Sequence, residues 1–219
     1  MNDRLNMLVH MLKPTKVLAD IGTDHGYLPL MCLNNKIADD VIAIDIKDKA
    51  LNQAKATFLR YGIHQHVDFI LSDGLDNITK EVNTVVLSGM GFDLVSKIID
   101  KDLQRFRSMD QILIQINLKV HKVREFMSKL GFELLDEQII LDKKYYIGLL
   151  YHFNPQSKQL TFEDILLGPI LSKNKSTCYM DFLRLNQKNL KVILNKSNIS
   201  VSIKDKYQKQ LSAIEKILD

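Results

Sequence analysis

An acidic loop that contains two glycines, Asp20-Ile-Gly-Thr-Asp-His-Gly26, follows a short apolar run and precedes a helical pattern. Glycine lets a backbone turn tightly and pass close to a ligand. The loop lacks the G-x-G-x-x-G spacing with which dinucleotide-binding proteins surround a pyrophosphate. Because the carboxylates of Asp20 and Asp24 repel a diphosphate and attract an amine or a sulfonium, the loop favours S-adenosylmethionine over NAD as the ligand.

Three further motifs follow later apolar runs. Asp45 comes 25 residues after Asp20, where an acid can accept hydrogen bonds from both ribose hydroxyls. Asp73, in Ser72-Asp-Gly74, can accept a bond from an adenine amine. Ser88-Gly-Met-Gly91 allows a flat reactant to approach the methyl donor. A lone Asp is more typical of a cap or a turn, but acids after three successive predicted strands favour a binding site.

The predicted cofactor site therefore draws on four segments of the chain. Its residues are Asp20, Gly22, Thr23, Asp24, His25, Gly26, Asp45, Ile46, Asp73, Gly74, Gly89, Met90 and Gly91. No metal site is predicted, because the only cysteines, Cys32 and Cys178, form neither a disulfide framework nor a ligand cluster. Cysteine usage of this kind, without a membrane-spanning apolar run, favours a cytoplasmic protein.

Short apolar runs alternate with helical patterns over most of the chain, which has 219 residues. Strands are predicted at residues 17–21, 41–44, 67–71, 84–87 and 112–116, with an antiparallel hairpin at 132–141 and 145–153. Helices are predicted at residues 2–12, 27–34, 48–61, 93–103 and 119–130. This alternation predicts an α/β fold in which helices cover both faces of a seven-stranded, mostly parallel sheet.

The C-terminal part differs in pattern and in charge. A linker at 154–157 predicts a division into a domain at 1–155 and a helical domain at 161–219, which opens on a capping box. Two apolar stripes there, joined by a polar turn at 195–200, predict a helical hairpin. The first 160 residues have 20 basic and 20 acidic side chains, whereas 161–219 have 10 and 6. The excess of basic side chains suits a polyanion, although a solvated helical face explains it equally well.

The motifs together identify a family resemblance. They are the segment from Asp20 to Pro29, the glycine motifs at 72–74 and 88–91, Gln115-Ile-Asn117, Thr161-Phe-Glu-Asp164 and Leu167-Gly-Pro-Ile170. On these segments the chain closely resembles the bacterial TrmK-type tRNA adenine-N1 methyltransferases, nearly from end to end. The resemblance implies a class I, Rossmann-like methyltransferase fold dependent on S-adenosylmethionine, with a coiled-coil-like C-terminal hairpin. It also implies methylation of N1 of adenine 22 in tRNA.

Three positions depart from the family pattern. Gly26 stands where the family often has Ala, Phe92 where it has a second Gly, and Ile116 where it has Pro. Phe92 and Ile116 lie where the target base is expected to enter, so the shape of that pocket differs from the family's.

Adenine N1 carries a free lone pair at neutral pH, so the expected displacement needs no base before attack. Positioning is expected to supply most of the rate. We predict that Asp24 stabilises the cationic product, that Asn117 reads the base edge and that Tyr27 stacks on the base or orients Asp24. Simple packing at a helix start explains Tyr27 equally well. N1 lies on the pairing edge, so the base must leave its helix.

The predicted partner is tRNA, bound by a protein expected to be a monomer and not attached to a membrane. The predicted RNA-binding residues are Lys173, Lys175, Arg184, Lys188, Lys191 and Lys196. Such cations contact phosphates without reading sequence. Two alternatives remain open at this point: a methyltransferase for a small molecule or a protein, and a non-catalytic tRNA-binding protein. An NAD oxidoreductase is disfavoured because the loop lacks the dinucleotide fingerprint.

Overall fold

The computed structural model describes residues 3–196 and 200–219 and has a seven-stranded sheet at its centre. The strands are β1 (Thr15–Ile21), β2 (Ala38–Asp45), β3 (Val67–Leu71), β4 (Thr84–Met90), β5 (Gln111–Ile116), β6 (Phe132–Asp142) and β7 (Lys144–Phe153). The helices are α1 (Asp3–Met11), α2 (Tyr27–Asn34), α3 (Asp48–Arg60), α4 (Phe92–Lys101), α5 (Leu103–Arg107), α6 (Val120–Lys129), α7 (Phe162–Leu167), α8 (Pro169–Asn174), α9 (Thr177–Leu194) and α10 (Val201–Leu218).

The sheet has the order β3-β2-β1-β4-β5-β7-β6, and β1 to β5 are parallel to one another. Among the strands of the described residues, β7 alone runs antiparallel, between β5 and β6. All six side chains of β5 are buried, as expected of a strand covered on both faces. The predicted α/β architecture is therefore confirmed. Because the strand order reverses between β1 and β4, a crevice opens at their carboxyl ends.

Two elements differ from the sequence predictions. β4 continues to Met90, so the Ser88–Met90 part of the glycine motif belongs to the strand, with an irregular register against β5. The helix predicted at 93–103 is broken into α4 and α5, because Asp102 leaves the helical conformation at φ −117°. The last helix begins at Val201, directly after the residues predicted as the polar turn, with Ser200 as its N-cap. Asn2 and residues 197–199 of the predicted turn lie outside the described residues.

The C-terminal helices join the sheet through a buried ion pair. Arg124 of α6 donates from Nε to Glu137 of β6 over 2.6 Å, and both side chains are almost fully buried. The second oxygen of Glu137 accepts from the amides of Ile170 and Leu171, at the start of α8. The connection fixes the tail against the outer strand, because breaking a buried pair of this kind leaves an uncompensated charge.

The apolar core is also continuous across this junction. The apolar cluster of the sheet includes Leu171 and Tyr179 from the tail, together with Leu211 and Ile214 of α10. The capping box predicted at Thr161 is present, since its side chain accepts from the Asp164 amide and Asp164 accepts from the Thr161 amide. The division at 155–161 itself stays a prediction.

Within residues 3–196 and 200–219, no helix is long and apolar enough to cross a membrane.

Candidate functional site

A cavity of about 670 Å³ opens at the carboxyl ends of β1, β2, β3 and β4, where the strand order reverses. Its volume lies in the usual range for small-molecule sites. Eleven of the thirteen predicted cofactor residues line it: Asp20, Gly22, Thr23, Asp24, His25, Asp45, Ile46, Asp73, Gly74, Gly89 and Met90. We refer to it as the acidic cavity, because four separate aspartates face it.

The loop after β1 is held against β2. The amides of Gly22 and Thr23 both donate to the Ile44 carbonyl, over 2.8 and 2.9 Å. Gly22 has φ +76°, and a Cβ there would collide with the thioether methyl of Met90. A side chain at position 22 would therefore fill space between the two segments that line the cavity.

Gly26 and Gly91 do not line the acidic cavity, in contrast to the sequence prediction. Gly26 is the left-handed N-cap of α2, and a Cβ there would lie 2.9 Å from the Cβ of Ala54 in α3. Its small size therefore serves helix packing. Gly91 is the extended N-cap of α4. Both belong to glycine motifs, and such motifs do not distinguish a ligand contact from a helix start.

Asp20 lies at the bottom of the acidic cavity and is 4% exposed. Burial raises the pKa of Asp20 to about 7, and the neighbouring charge of Asp45 also raises it, while Arg4 lowers it. A cation bound in the cavity would favour the ionised form of this carboxyl group. Asp20 is therefore suited to a positively charged ligand.

Two more carboxylates are held in place by hydrogen bonds. Asp45 accepts from the amide of Lys47 over 2.9 Å and from the amide of Asp24 over 3.4 Å. Asp73 accepts from Lys101 Nζ over 3.4 Å, and Asp76 holds the same ammonium group at 2.6 Å. Each carboxylate retains lone pairs that can accept hydrogen bonds from a ligand.

Asp24, His25 and Tyr27 form the rim of the acidic cavity. The Asp24 side chain is 70% exposed, and its residue adopts a left-handed backbone conformation at φ +51°. His25 Nε2 lies 3.8 Å from Asp24 Oδ2, and the His25 ring stacks on Tyr27 at 5.9 Å between centroids. These side chains are accessible to a second reactant.

Asn117 does not line the acidic cavity with Asp24 and Tyr27, although all three were predicted as catalytic. It lines a cavity of about 370 Å³, which shares Arg4 and Gly89 with the acidic cavity, and a further cavity of about 400 Å³. Its Oδ1 accepts from Gln115 Nε2 over 3.4 Å. The structure thus places Asp24 and Tyr27 at the rim of the acidic cavity, and Asn117 in the adjoining 370 Å³ cavity and in a third one.

Arg4 is the main site residue that the sequence motifs do not indicate. Its Nη1 donates to Ser88 Oγ over 3.1 Å and to Gln115 Oε1 over 2.9 Å, and Arg4 lines both the acidic cavity and the 370 Å³ cavity. The only local signal is a cation on the helix face shared with Leu8 and Met11. Nothing in that pattern places the helix beside residues 88 and 115.

The six predicted RNA-binding cations are all exposed on α8, α9 and the residues next to them. Three of them have partners within the tail. Arg184 pairs with Asp181 on the same helix, Lys191 pairs with Glu215, and Lys175 donates to the carbonyl of Ile217. Exposed pairs of this kind are weak and can exchange for phosphates. Among the described residues, Lys173, Lys188 and Lys196 form no ion pair.

In the part of the chain that the structure describes, no group of three or more His, Cys, Asp or Glu side chains is arranged to hold a metal ion.

Comparisons with known proteins agree with this geometry. A tRNA (adenine(22)-N(1))-methyltransferase from Bacillus subtilis is 28% identical over 188 residues, which are 82% of this chain and 78% of that protein. The structure of TrmK from M. capricolum with S-adenosyl-homocysteine has a TM-score of 0.87 and 27% identity, covering 100% of this chain and 98% of that one. The B. subtilis m1A22 tRNA methyltransferase TrmK shares the fold, with a TM-score of 0.86 at 24% identity over 100% and 99% of the two chains.

These similarities confirm the resemblance to TrmK-type enzymes that the sequence motifs indicate. Residues 1–150 match the family model described as a methyltransferase domain. Since that match covers more than half of the chain, the chain belongs to the methyltransferase-domain family.

Proposed function

We propose that this protein transfers a methyl group from S-adenosylmethionine to N1 of adenine 22 in tRNA. The observation that carries the proposal is the acidic cavity, in which four aspartates from three segments meet at the carboxyl ends of the strands. The B. subtilis relative supports the choice of substrate by its name.

The residues of the acidic cavity fit S-adenosylmethionine. Asp45 and Asp73 line the cavity, and in this proposal Asp45 accepts from the ribose hydroxyls and Asp73 from the adenine amine. Asp20 and Asp24 supply negative charge for the amine and the sulfonium, and Gly22 lines the cavity without a side chain. When bound, S-adenosylmethionine supplies an electrophilic methyl group.

The chain's own contribution to the reaction is binding and orientation. Adenine N1 attacks through its lone pair, so no protein group has to remove a proton first. The base gains positive charge as it reacts, and the exposed carboxylate of Asp24 at the rim can stabilise that charge. In this proposal Asn117, in the adjoining 370 Å³ cavity, holds the base edge, and Tyr27 stacks on the base or orients Asp24.

The tail is the proposed RNA-binding part, in keeping with the predicted division into 1–155 and 161–219. Its exposed cations provide affinity for the tRNA backbone without reading sequence. We propose that the protein acts in the cytoplasm, in keeping with a tRNA substrate, and that it acts as a monomer. Light scattering of the free protein tests the oligomeric state.

The decisive experiment is methylation of unmodified tRNA with labelled S-adenosylmethionine, followed by digestion and identification of the labelled nucleoside. We expect 1-methyladenosine at position 22 and no label in a tRNA whose adenine 22 is replaced by guanine. Label in another nucleoside, or only in protein or small molecules, would refute the proposed substrate. Absence of S-adenosylmethionine binding in calorimetry would favour a non-catalytic RNA-binding protein.

A further inference from the structure

A second cavity, of about 370 Å³, lies directly beside the acidic cavity. It is lined by Arg4, Gly89, Asn117, Asp142, Lys143, Lys144 and Tyr146. Arg4 and Gly89 line both cavities, so a molecule in one can contact a molecule in the other. Gly89 has no side chain to separate them, and a Cβ there would come no closer than 3.8 Å to Arg4.

The two cavities carry opposite charge. Asp20, Asp24, Asp45 and Asp73 line the acidic cavity, with Arg4 and Lys47 as its only arginine and lysine among the described residues. The second cavity has three cations and one carboxylate, that of Asp142. An RNA phosphate is therefore repelled from the first cavity and attracted to the second.

The β6–β7 turn presents two of these cations. Asp142 pairs with Lys144 in the last register position of the two strands, and Lys143 occupies the tip in a left-handed conformation at φ +61°. Both lysines are exposed, and neither forms an ion pair within residues 3–196 and 200–219. Their ammonium groups are therefore available to an external anion.

Arg4 of α1 and Tyr146 of β7 also line the second cavity. Arg4 is held by Ser88 and Gln115, and its guanidinium lies 5.5 Å from the centre of the Tyr146 ring. Lys144 Nζ lies 5.1 Å from the same ring. Contacts of this kind orient a cation without neutralising it.

We propose that the second cavity holds the target nucleotide once its base has left the RNA helix, with Lys143 and Lys144 bound to a phosphate that flanks the base. The base then reaches the methyl donor past Gly89, while the RNA backbone stays in the second cavity, beside its cations. This inference rests on the proposed function, because it assigns the substrate subsite of the same reaction.

The first test replaces both lysines as K143N/K144Q. Asn tolerates the left-handed conformation at position 143. Gln at position 144 is a long, uncharged side chain that replaces Lys in the strand. The matched control, K13Q/K16Q, removes the same charge from two exposed positions at the amino end of β1, away from both cavities. We expect kcat/KM for tRNA to fall roughly ten- to hundredfold in K143N/K144Q only. S-adenosylmethionine affinity and the unfolding midpoint are expected to stay unchanged in both variants.

The second test neutralises single phosphates. Methylphosphonate on either side of adenine 22 is expected to lower kcat/KM of the wild-type protein, and to have little further effect on K143N/K144Q, since removing either partner breaks the same contact. A methylphosphonate at a distant position is expected to act equally on both proteins. If the loss of kcat/KM caused by each methylphosphonate adds fully to the loss caused by K143N/K144Q, the proposal is overturned.

The outcomes separate this inference from the proposed function. A wild-type protein that methylates tRNA, together with a K143N/K144Q variant no worse than K13Q/K16Q, overturns the lysine assignment alone. A wild-type protein that neither binds nor methylates tRNA overturns both.

Discussion

At the scale of single residues, the acidic cavity combines carboxylates in different environments. Asp20 is buried and protonates near neutral pH, whereas Asp24 is exposed at the rim. The buried group is suited to recognise a cationic ligand, and the exposed group is accessible to the incoming base. The sequence predicted both residues but not this difference, because burial depends on the segments that pack around each side chain.

Asp20 makes the stability of the ligand-free protein depend on pH. Its folded pKa of about 7 lies above the ordinary value of 3.8, so the folded protein binds this proton more tightly than the unfolded chain. The free energy of unfolding is therefore expected to fall as the pH rises from about 4 to about 7. We expect D20N to remove this dependence and to be more stable than the wild type at pH 8, by about 1–4 kcal/mol.

Urea unfolding of both proteins at pH 5 and pH 8 measures this effect. If D20N and the wild type differ in free energy of unfolding by the same amount at pH 5 and at pH 8, this expectation is contradicted. The same variant is expected to bind S-adenosylmethionine more weakly, because it lacks the charge that faces the ligand.

For Asp24 the expected effect is on catalysis. We expect D24N to lower kcat/KM about a hundredfold or more, because in the proposed function the Asp24 carboxylate stabilises the base as it becomes cationic. Asn is the suitable replacement, since it tolerates the left-handed backbone at this position whereas Ala is strained there. The unfolding midpoint is expected to change little, because the side chain is 70% exposed.

The control for D24N is D39N, which removes an exposed carboxylate at the amino end of β2. It is expected to have wild-type activity. Full activity of D24N in the tRNA methylation assay would show that Asp24 does not act in the reaction.

At the scale of elements, the contact between α6, β6 and α8 orients the tail. Gly168 lies between α7 and α8 with φ +87°, and a Cβ there would approach Arg124 and Glu137 to between 2.6 and 2.9 Å. The Gly168-Pro169 pair indicates a helix break, because Pro in a helix interior removes a backbone hydrogen bond and clashes with the preceding turn. The sequence does not predict that the Arg124–Glu137 ion pair, from α6 and β6, packs against this break.

Loss of one partner of this pair is expected to destabilise the fold. We expect E137Q to lower the free energy of unfolding by about 3–5 kcal/mol, because Arg124 is left as an unpaired buried charge. The double variant R124M/E137Q is expected to be less destabilised than the sum of its single variants, since neither charge remains.

Urea denaturation of the three variants measures the coupling. E133Q serves as the control, because Glu133 lies on the same strand with a side chain that is 45% exposed. Additive destabilisation would mean that the two side chains do not act as a pair.

At the scale of the whole molecule, charge is divided between the sheet and the tail. The formal net charge is +4, and the tail accounts for the whole excess. Because tail residues such as Leu171 and Tyr179 are buried in the core of the sheet, deletion of the tail would expose apolar surface. Point substitutions therefore test RNA binding more cleanly than a truncation.

The variant K173Q/K188Q removes two exposed cations that have no ion-pair partner among the described residues. We expect weaker tRNA binding and a shallower dependence of log K on log salt, with the slope reduced by roughly one for each phosphate that is no longer neutralised. The rate at saturating tRNA is expected to stay the same, because neither residue lines the acidic cavity.

Binding titrations at several salt concentrations, with K13Q/K16Q as the matched control, measure this effect. If log K for tRNA has the same dependence on log salt in K173Q/K188Q as in the control, the RNA binds to another surface.

The sequence by itself determined the order of strands and helices, the acidic motifs that follow the strands and the positive charge of the tail. These are local properties, since periodicity, glycine motifs and composition are read along the chain. Tertiary structure alone decided that Arg4 meets Ser88 and Gln115, that Asn117 and Asp24 face different cavities, and that the β6–β7 turn adds two lysines beside the site. Each of these contacts joins segments far apart in sequence, so it depends on how the elements pack and not on the pattern within any one of them.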